Sequence, residues 1–115
     1  MQVVEKRPWG KFEVLHESRD TKIKKITVLP GQRLSYQSHK YRAEHWVVVE
    51  GELTTVLNGE EIFVDQGRSI YIPQGANHRM WNKDMKNKLV VVEVQLGSYF
   101  GEDDITRIED DYNRE

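Results

Sequence analysis

Residues 31–51 read GQRLSYQSHKYRAEHWVVVEG and place three potential metal ligands, Gln37, His39 and Glu44, between two glycines. Gln37 and His39 are two residues apart, so on a strand both side chains lie on one face. Glu44 follows a short polar bend and opens a strongly apolar run. A hairpin-like return of the chain would bring Glu44 opposite Gln37 and His39, and we therefore expect the three side chains to converge.

A second stretch, residues 67–82, reads GRSIYIPQGANHRMWN and supplies His78. Together the two stretches offer two imidazoles, one carboxylate and one amide oxygen. This mixture of nitrogen and oxygen donors suits one divalent metal ion of the zinc, manganese, iron, cobalt or nickel group. Neither His16 nor His45 belongs to the pattern, and both are predicted to be structural or exposed.

The two stretches resemble the paired motifs of the cupin family, G-x5-H-x-H-x3-4-E-x6-G and G-x5-P-x-G-x2-H-x3-N. The first motif is matched with glutamine where its first histidine is usual, and the second is matched without a gap. The matching residues are Gly31, Gln37, His39, Glu44, Gly51, Gly67, Pro73, Gly75, His78 and Asn82. The resemblance implies a double-stranded β-helix, or jelly roll, with metal ligands at Gln37, His39, Glu44 and His78.

The composition predicts one globular domain covering residues 1–115. The hydrophobic fraction is 37% and the charged fraction is 31%, and no apolar run is long enough for a transmembrane helix. The N-terminus lacks a signal-peptide pattern, so we expect a cytoplasmic protein. The chain has no cysteine, which excludes disulfides, thiolate metal sites and a cysteine nucleophile.

Charge is unevenly distributed along the chain. The net charge is -2, and residues 102–115 carry seven acidic and two basic side chains, which leaves the rest of the chain at +3. Such a balance gives no broad attraction to nucleic acid or to a membrane. A mildly basic body suits an anionic small ligand such as a sugar phosphate, although ordinary solvated charge explains the count as well.

Alternating apolar residues and turn signals predict an all-β protein. Strands are expected at residues 11–16, 21–28, 52–57, 61–65, 69–72 and 89–96, with a tight hairpin at Asn58-Gly59. The alternation slips between Ile23 and Ile26, which indicates a bulge there. The acidic residues 102–104 suit a helix N-terminus, so we expect at most one short helical segment, near the C-terminus. The pattern alone leaves sandwich and barrel open.

A narrower resemblance covers residues 7–112 and is to the type II phosphomannose isomerase domain. It is carried by RPWG, PGQRLSYQSHKYRAEHW, VVVEG, YIPQGANHR and VEVQLGSYFGEDDITRIEDDY. In that family the domain is commonly the C-terminal part of a bifunctional mannose-6-phosphate isomerase and GDP-mannose pyrophosphorylase. The resemblance implies a stand-alone isomerase of mannose 6-phosphate and fructose 6-phosphate. Nucleotide-sugar synthesis is not carried over, because no nucleotidyltransferase domain is present in the sequence. Lys40-Tyr41 also replaces histidines common in the family.

An aldose–ketose isomerase needs cationic groups near the reacting oxygens and a general base. Arg42 lies between two candidate ligands and is, by resemblance, the favoured catalytic arginine. Arg79 directly follows His78 and is the second choice. Either guanidinium would bind phosphate or stabilise the enediolate intermediate. Lys40 is a candidate for a further phosphate contact, and so is Arg107 if the acidic C-terminal run is functional.

The run LVVVEVQL, residues 89–96, contains a candidate for the base. Glu93 and Gln95 share one strand face, and burial of an unpartnered acid inside such a run is unfavourable. We therefore hypothesise that Glu93 points into the barrel, as the base or as a partner of a ligand histidine, with Gln95 beside the substrate. Tyr71, on the alternating strand before the second motif, is a further candidate to line the pocket.

Two other function classes stay open from the sequence. One is a non-catalytic metal-containing cupin that binds a sugar phosphate or a nucleotide sugar. The other is a different cupin enzyme, such as an epimerase or an oxygenase, although Gln37 argues against an oxygenase because iron oxygenases favour histidine and carboxylate ligands. We also expect a homodimer, since small jelly rolls expose edge strands, and the RPWG segment is a candidate for exchange between protomers.

Overall fold

A computed structural model describes residues 3–112 of the chain, and every regular element in that range is a strand. The eleven strands are β1 (Val3–Arg7), β2 (Gly10–Glu17), β3 (Thr21–Val28), β4 (Tyr36–Ser38), β5 (Arg42–Glu50), β6 (Leu53–Leu57), β7 (Glu60–Val64), β8 (Ser69–Ile72), β9 (His78–Trp81), β10 (Leu89–Gly97) and β11 (Thr106–Glu109). The predicted all-β class is therefore confirmed. No helix long and apolar enough to cross a membrane occurs in the described range.

The strands form two antiparallel sheets. The larger has the order β1-β2-β3-β10-β5-β8, and the smaller has the order β11-β4-β9-β6-β7. Neighbours in a sheet are often distant in the chain, as with β10 between β3 and β5, which is the crossed connectivity of a jelly roll. This arrangement places residues 31–51 partly in each sheet, so the first motif spans both walls of the barrel.

The apolar core fills the space between the sheets. Both sheets contribute to it, with Trp46 and Val28 from the larger one and Leu53 and Met80 from the smaller one, all at most 1% exposed. Burial of such side chains stabilises a fold by roughly 1.5–3 kcal/mol each. Trp46 and Met80 also border a polar cavity, so the core forms the floor of that cavity.

The tight hairpin predicted at Asn58-Gly59 joins β6 and β7. Asn58 has φ 48° and Gly59 has φ 85°, which is the pair of positive angles that a two-residue type I′ turn requires. The Asn58 carboxamide also accepts a hydrogen bond from the Asn77 backbone N–H at 3.0 Å. The hairpin is thereby connected to the loop that precedes His78.

The bulge expected between Ile23 and Ile26 lies in the neighbouring strand instead. β3 is regular, and the register between β2 and β3 shifts between Val14 and His16. Lys24 is buried on the inner face, together with Ile26, while Ile23 lies on the outer face and is half-buried. The slip in alternation therefore reflects an inward lysine rather than a bulge in β3.

The C-terminal segment forms a turn and then strand β11, although the sequence predicted at most one short helical segment there. The Asp104 backbone N–H donates to the Gly101 carbonyl at 3.1 Å, and β11 then pairs with β4. At the other end, the RPWG segment is the hairpin turn between β1 and β2, with Trp9 buried in the core. In this structure β1 pairs with β2 of its own chain.

Candidate metal centre and active site

The fold brings His39, Glu44 and His78 together. His78 begins β9, Glu44 lies in β5, and His39 follows β4, which pairs with β9 through Gln37 and His78. All three side chains are buried, and their candidate ligand atoms lie within 4.8 Å of one another. The structure thus brings together three of the four residues that were predicted to be metal ligands.

Hydrogen bonds at the far side of each ring orient the two imidazoles. His39 Nδ1 donates to the Asp104 carbonyl at 2.7 Å, and His78 Nδ1 donates to the Ala76 carbonyl at 3.0 Å. Because a carbonyl only accepts, each Nδ1 carries a proton, and in the neutral ring the Nε2 atom keeps a lone pair that can accept a hydrogen bond or bind a metal. The two Nε2 atoms face Glu44, at 3.3 Å and 3.8 Å from its oxygens, which is the orientation of histidines that ligate a metal.

Burial and neighbouring charges prepare these groups for a cation. Burial lowers the pKa of His39 to about 4, so this imidazole is neutral at physiological pH. Burial alone would raise the pKa of Glu44, but the electrostatic influence of His78 and Arg42 outweighs it and lowers the pKa overall. The site therefore presents an ionised carboxylate beside an imidazole lone pair.

Gln37 lines the same cavity and is placed to complete the ligand set. Its amide Nε2 donates to Ser35 Oγ at 2.8 Å, with a longer contact to the Ser35 carbonyl at 3.3 Å. Those bonds use the amide nitrogen and leave the amide oxygen as a donor to a metal. With His39, Glu44 and His78, this gives a mixed nitrogen and oxygen set that fits a first-row divalent ion.

Arg42 lies directly against the ligands. Its Nε donates to Glu44 Oε2 at 3.0 Å and its Nη2 to His39 Nε2 at 3.1 Å, whereas its buried Nη1 has no hydrogen-bond partner among the described residues. Arg42 and Glu44 are two apart on β5 and so share a face. On the other side, Trp46 Nε1 donates to Glu44 Oε1 at 2.9 Å.

Arg79, the second choice for a catalytic arginine, has a different environment. It borders the cavity, but its Nε donates to the Leu34 carbonyl at 2.9 Å and its Nη1 to Glu109 Oε1 at 2.6 Å. The reason is its position directly after His78, because adjacent strand residues point to opposite faces. Its guanidinium holds the C-terminal segment rather than the ligands.

Glu93 points into the barrel, as hypothesised. It is 5% exposed, borders the cavity, and lies between Lys24 and Trp46 in the strand register. Burial raises the pKa of Glu93 to about 8, and the charge of Glu44 adds to this effect. Gln95 is fully buried below it and donates to Glu93 Oε1. Gln95 is not among the cavity-lining residues, so it supports Glu93 rather than contacting a substrate.

Tyr71 and Lys40 do not line the cavity. Tyr71 is 51% exposed on the outer face of β8, where its ring packs edge-on against His45 at 6.0 Å between centroids. The inner face of that strand belongs to Ile70 and Ile72, so alternation turns Tyr71 outward. Lys40 is exposed beside the Tyr41 ring. The departure at Lys40-Tyr41 from the family pattern thus lies outside the cavity.

Lys24 and Asp104 are two of the polar cavity residues that the sequence reasoning missed. Lys24 is buried, its Nζ donates to Glu102 Oε2 at 3.3 Å, and it lies 4.2 Å above the centroid of the Phe12 ring. Lys24 and Ile26 are two residues apart in β3, and this spacing would have placed the lysine on the inner face of the strand with Ile26. Asp104 accepts hydrogen bonds at its carboxylate from the backbone N–H groups of residues 40 and 41, each at 2.9 Å. No local pattern marks Asp104, because these contacts join distant parts of the chain.

Comparison with known proteins finds one matching family and several sequence relatives. Residues 2–110 match the family described as mannose-6-phosphate isomerase C-terminal. The chain is 47% identical over 108 residues to mannose-1-phosphate guanylyltransferase ManC of Salmonella typhimurium, 45% to xanthan biosynthesis protein XanB of Xanthomonas campestris, and 44% to alginate biosynthesis protein AlgA of Pseudomonas aeruginosa. Each match covers 94% of this chain but only 22% or 23% of the relative.

Solved structures with low sequence identity share the fold. The capsular polysaccharide assembling protein CapF from Staphylococcus aureus has a TM-score of 0.81 and 18% identity, over 95% of this chain and 33% of that one. An RmlC-like cupin from Shewanella frigidimarina has a TM-score of 0.75 and 19% identity, over 89% and 87% of the two chains. The chain therefore has the cupin fold and belongs to the mannose-6-phosphate isomerase C-terminal family.

Proposed function

We propose that this chain is a metal-dependent sugar-phosphate isomerase that interconverts mannose 6-phosphate and fructose 6-phosphate. The observation that carries the proposal is the convergence of His39, Glu44 and His78 with Arg42 and Glu93 around one cavity. Membership of the family supports the choice of substrate. The chain spans less than a quarter of its curated relatives, so their guanylyltransferase activity is not assigned to it.

The reaction moves a proton between carbon 2 and carbon 1 of the sugar through an enediolate. Its barrier comes largely from charge that develops on the sugar oxygens, so fixed cations near those oxygens lower it. A divalent ion held by the ligand set would polarise the carbonyl group. Arg42 is bound to two of the ligand side chains, and its Nη1 is left to donate to a sugar oxygen.

Glu93 is the carboxylate best placed to act as the base. Four carboxylates line the cavity: Glu44, Glu93, Glu102 and Asp104. Glu44 belongs to the ligand set, Glu102 pairs with Lys24, and Asp104 accepts two backbone hydrogen bonds. Glu93 borders the cavity and is oriented by Gln95, so it would be a fixed base for a proton of a sugar bound in that cavity.

A coupled assay with mannose 6-phosphate tests the proposal. We expect turnover that is lost on chelation and restored by at least one ion among zinc, manganese, cobalt, nickel and iron. His78→Ala should abolish both metal retention and turnover, whereas the exposed His45→Ala, a matched histidine control, should change neither.

Absence of turnover in folded, metal-loaded protein would contradict the isomerase assignment. In that case thermal stabilisation by sugar phosphates or nucleotide sugars would favour a binding module. Conversion of another sugar would favour an epimerase or a related cupin enzyme.

A further inference from the structure

Five cationic side chains line the cavity, and they differ in their partners. They are Arg7, Lys24, Arg42, Arg79 and Arg107. Four of them have a carboxylate within ion-pair distance: Arg7 has Glu5, Lys24 has Glu102, Arg42 has Glu44, and Arg79 has Glu109.

Arg107 is the cavity cation for which residues 3–112 provide no such carboxylate. Its Nε is buried and has no hydrogen-bond partner among the described residues. A buried guanidinium donor without an acceptor is unfavourable, and the unfavourable energy is relieved when an anion binds. The planar fork of arginine suits the oxygens of a phosphate.

The strand register places Arg107 in line with two of the candidate metal ligands. Arg107 on β11 is the partner of Gln37 on β4, and Gln37 is the partner of His78 on β9. Directly paired residues in antiparallel strands share a face, so the three side chains form an inward row across the smaller sheet. Two strand spacings separate Arg107 from His78, or roughly 10 Å between their backbones.

That separation fits the two ends of a phosphorylated hexose. Carbons 1 and 2, where the proton moves, lie at one end of the six-carbon chain, and the phosphate lies at the other end. We propose that Arg107 binds the phosphate of the hexose phosphate whose reacting carbons lie near His78, an inference that rests on the proposed function. Arg42, which touches the ligands themselves, is then left for the reacting oxygens, and the C-terminal strand selects phosphorylated over neutral sugars.

Steady-state kinetics of Arg107→Ala test this assignment. We expect its KM for mannose 6-phosphate to rise roughly 10- to 100-fold, the usual effect of removing a charged hydrogen bond, while kcat changes much less and metal content stays unchanged. Arg68→Ala removes the same charge from an exposed position and should leave KM unaltered. An unchanged KM in Arg107→Ala, or a loss of bound metal in parallel with activity, would overturn the inference.

A binding experiment separates this inference from the proposed function. Inorganic phosphate should raise the melting temperature of metal-loaded wild-type protein and of Arg68→Ala, but not that of Arg107→Ala. If the wild type lacks isomerase activity yet shows this pattern, the phosphate site stands and the isomerase assignment fails. Equal stabilisation of all three proteins would refute the phosphate site, even in an active isomerase.

Arg107→Lys serves as the second variant if Arg107→Ala does not fold. It keeps the positive charge but loses the two-pronged donor geometry. A KM for mannose 6-phosphate above the wild-type value supports the assignment. A wild-type KM together with a wild-type thermal response to inorganic phosphate contradicts it.

Discussion

Arg42 and Arg79 both neighbour a candidate ligand in the sequence, but they differ in the face on which they lie. Arg42 is two residues from Glu44 and donates to it, whereas Arg79 directly follows His78 and donates to Glu109 and the Leu34 carbonyl. The strand period of two places Arg42 beside the candidate ligands and Arg79 on the opposite face, so a catalytic role is proposed for Arg42 and a structural role for Arg79. We therefore expect replacement of Arg42 to lower activity and replacement of Arg79 to lower stability.

Arg42→Ala should lower kcat by roughly 100-fold or more, because loss of a fixed donor near a developing oxyanion has effects of that size. Arg79→Ala, its matched control, should instead lower the free energy of unfolding by roughly 1–3 kcal/mol, since it leaves the Leu34 carbonyl without its side-chain donor and removes one of the two arginines that donate to Glu109. Urea titration and steady-state kinetics on both variants measure the two effects. Equal losses of kcat in the two folded variants would contradict the division of roles.

The pKa of Glu93 predicts how stability depends on pH in metal-free protein. Its pKa rises from the ordinary 4.5 to about 8 on folding, so between these values the native state binds more protons at this site than the unfolded state. The contribution of this group to stability is therefore full below pH 4.5 and is lost as pH rises through about 8.

As the pH rises from 4.5 to about 8, the free energy of unfolding of the metal-free wild type should fall relative to that of Glu93→Gln, which has no such carboxyl. Chemical denaturation of both proteins in a chelator measures the difference, with the exposed Glu50→Gln as the control. A difference that is independent of pH would show that Glu93 is ionised in the folded protein throughout.

Side-chain direction was the most predictable property of single residues. Spacing alone placed Gln37 with His39 and Glu93 with Gln95, and all four lie inside. The same rule, applied to Ile70 and Ile72, would have turned Tyr71 outward, so that error was avoidable. The partner of Arg79 was not predictable, because Glu109 is 30 residues away in the chain.

The C-terminal segment is the element that completes the site. Asp104 accepts from the backbone N–H groups of residues 40 and 41 and, through its carbonyl, from His39. Glu102 pairs with Lys24, and Glu109 and Asp111 pair with Arg33. These contacts fasten the turn after His39 and fix the direction of its ring.

Asp104→Ala removes the two carboxylate bonds while it keeps the carbonyl that accepts from His39. We expect metal affinity to fall roughly 10-fold or more, because groups behind a ligand orient it. Asp103→Ala, the adjacent exposed residue that bonds to Tyr99, is the control. Competition with a chromogenic chelator measures both affinities, and equal values would show that the turn after His39 is held by other contacts.

Strands were easier to predict than their partners. Alternation and turn residues gave β2, β3, β6, β7, β8 and β10 nearly at their observed bounds. Local charge at residues 102–104 suggested a helical turn, but pairing of β11 with β4 decides that segment. Such pairing depends on tertiary contacts that no short sequence window contains.

Self-association of the chain stays a prediction. β1 and β8 are the edges of the larger sheet, and an uncovered edge presents unpaired backbone groups to another chain. Light scattering at micromolar concentration should therefore give the mass of a dimer, and a charged substitution at Tyr71 on β8 should shift the mass toward the monomer if that edge is used. A monomeric mass for the wild type would contradict the prediction of a dimer.

The jelly-roll fold was predictable through the resemblance to the cupin motifs, whereas alternation and turn residues alone left sandwich and barrel open. The metal-ligand cluster followed from the same motifs. Arg107 was one of several candidates for the phosphate contact, and the sequence could not select it, because β11 reaches the cavity only through its long-range pairing with β4.

The proposed function requires this cavity to move a proton between carbons 1 and 2 of a hexose phosphate. Nuclear magnetic resonance of mannose 6-phosphate in deuterated water, with metal-loaded protein, follows that proton. We expect conversion to fructose 6-phosphate with deuterium at the carbon that receives the proton, and neither conversion nor label with Glu93→Gln or after chelation. Folded, metal-loaded wild-type protein that yields no conversion and no label would contradict the proposed function.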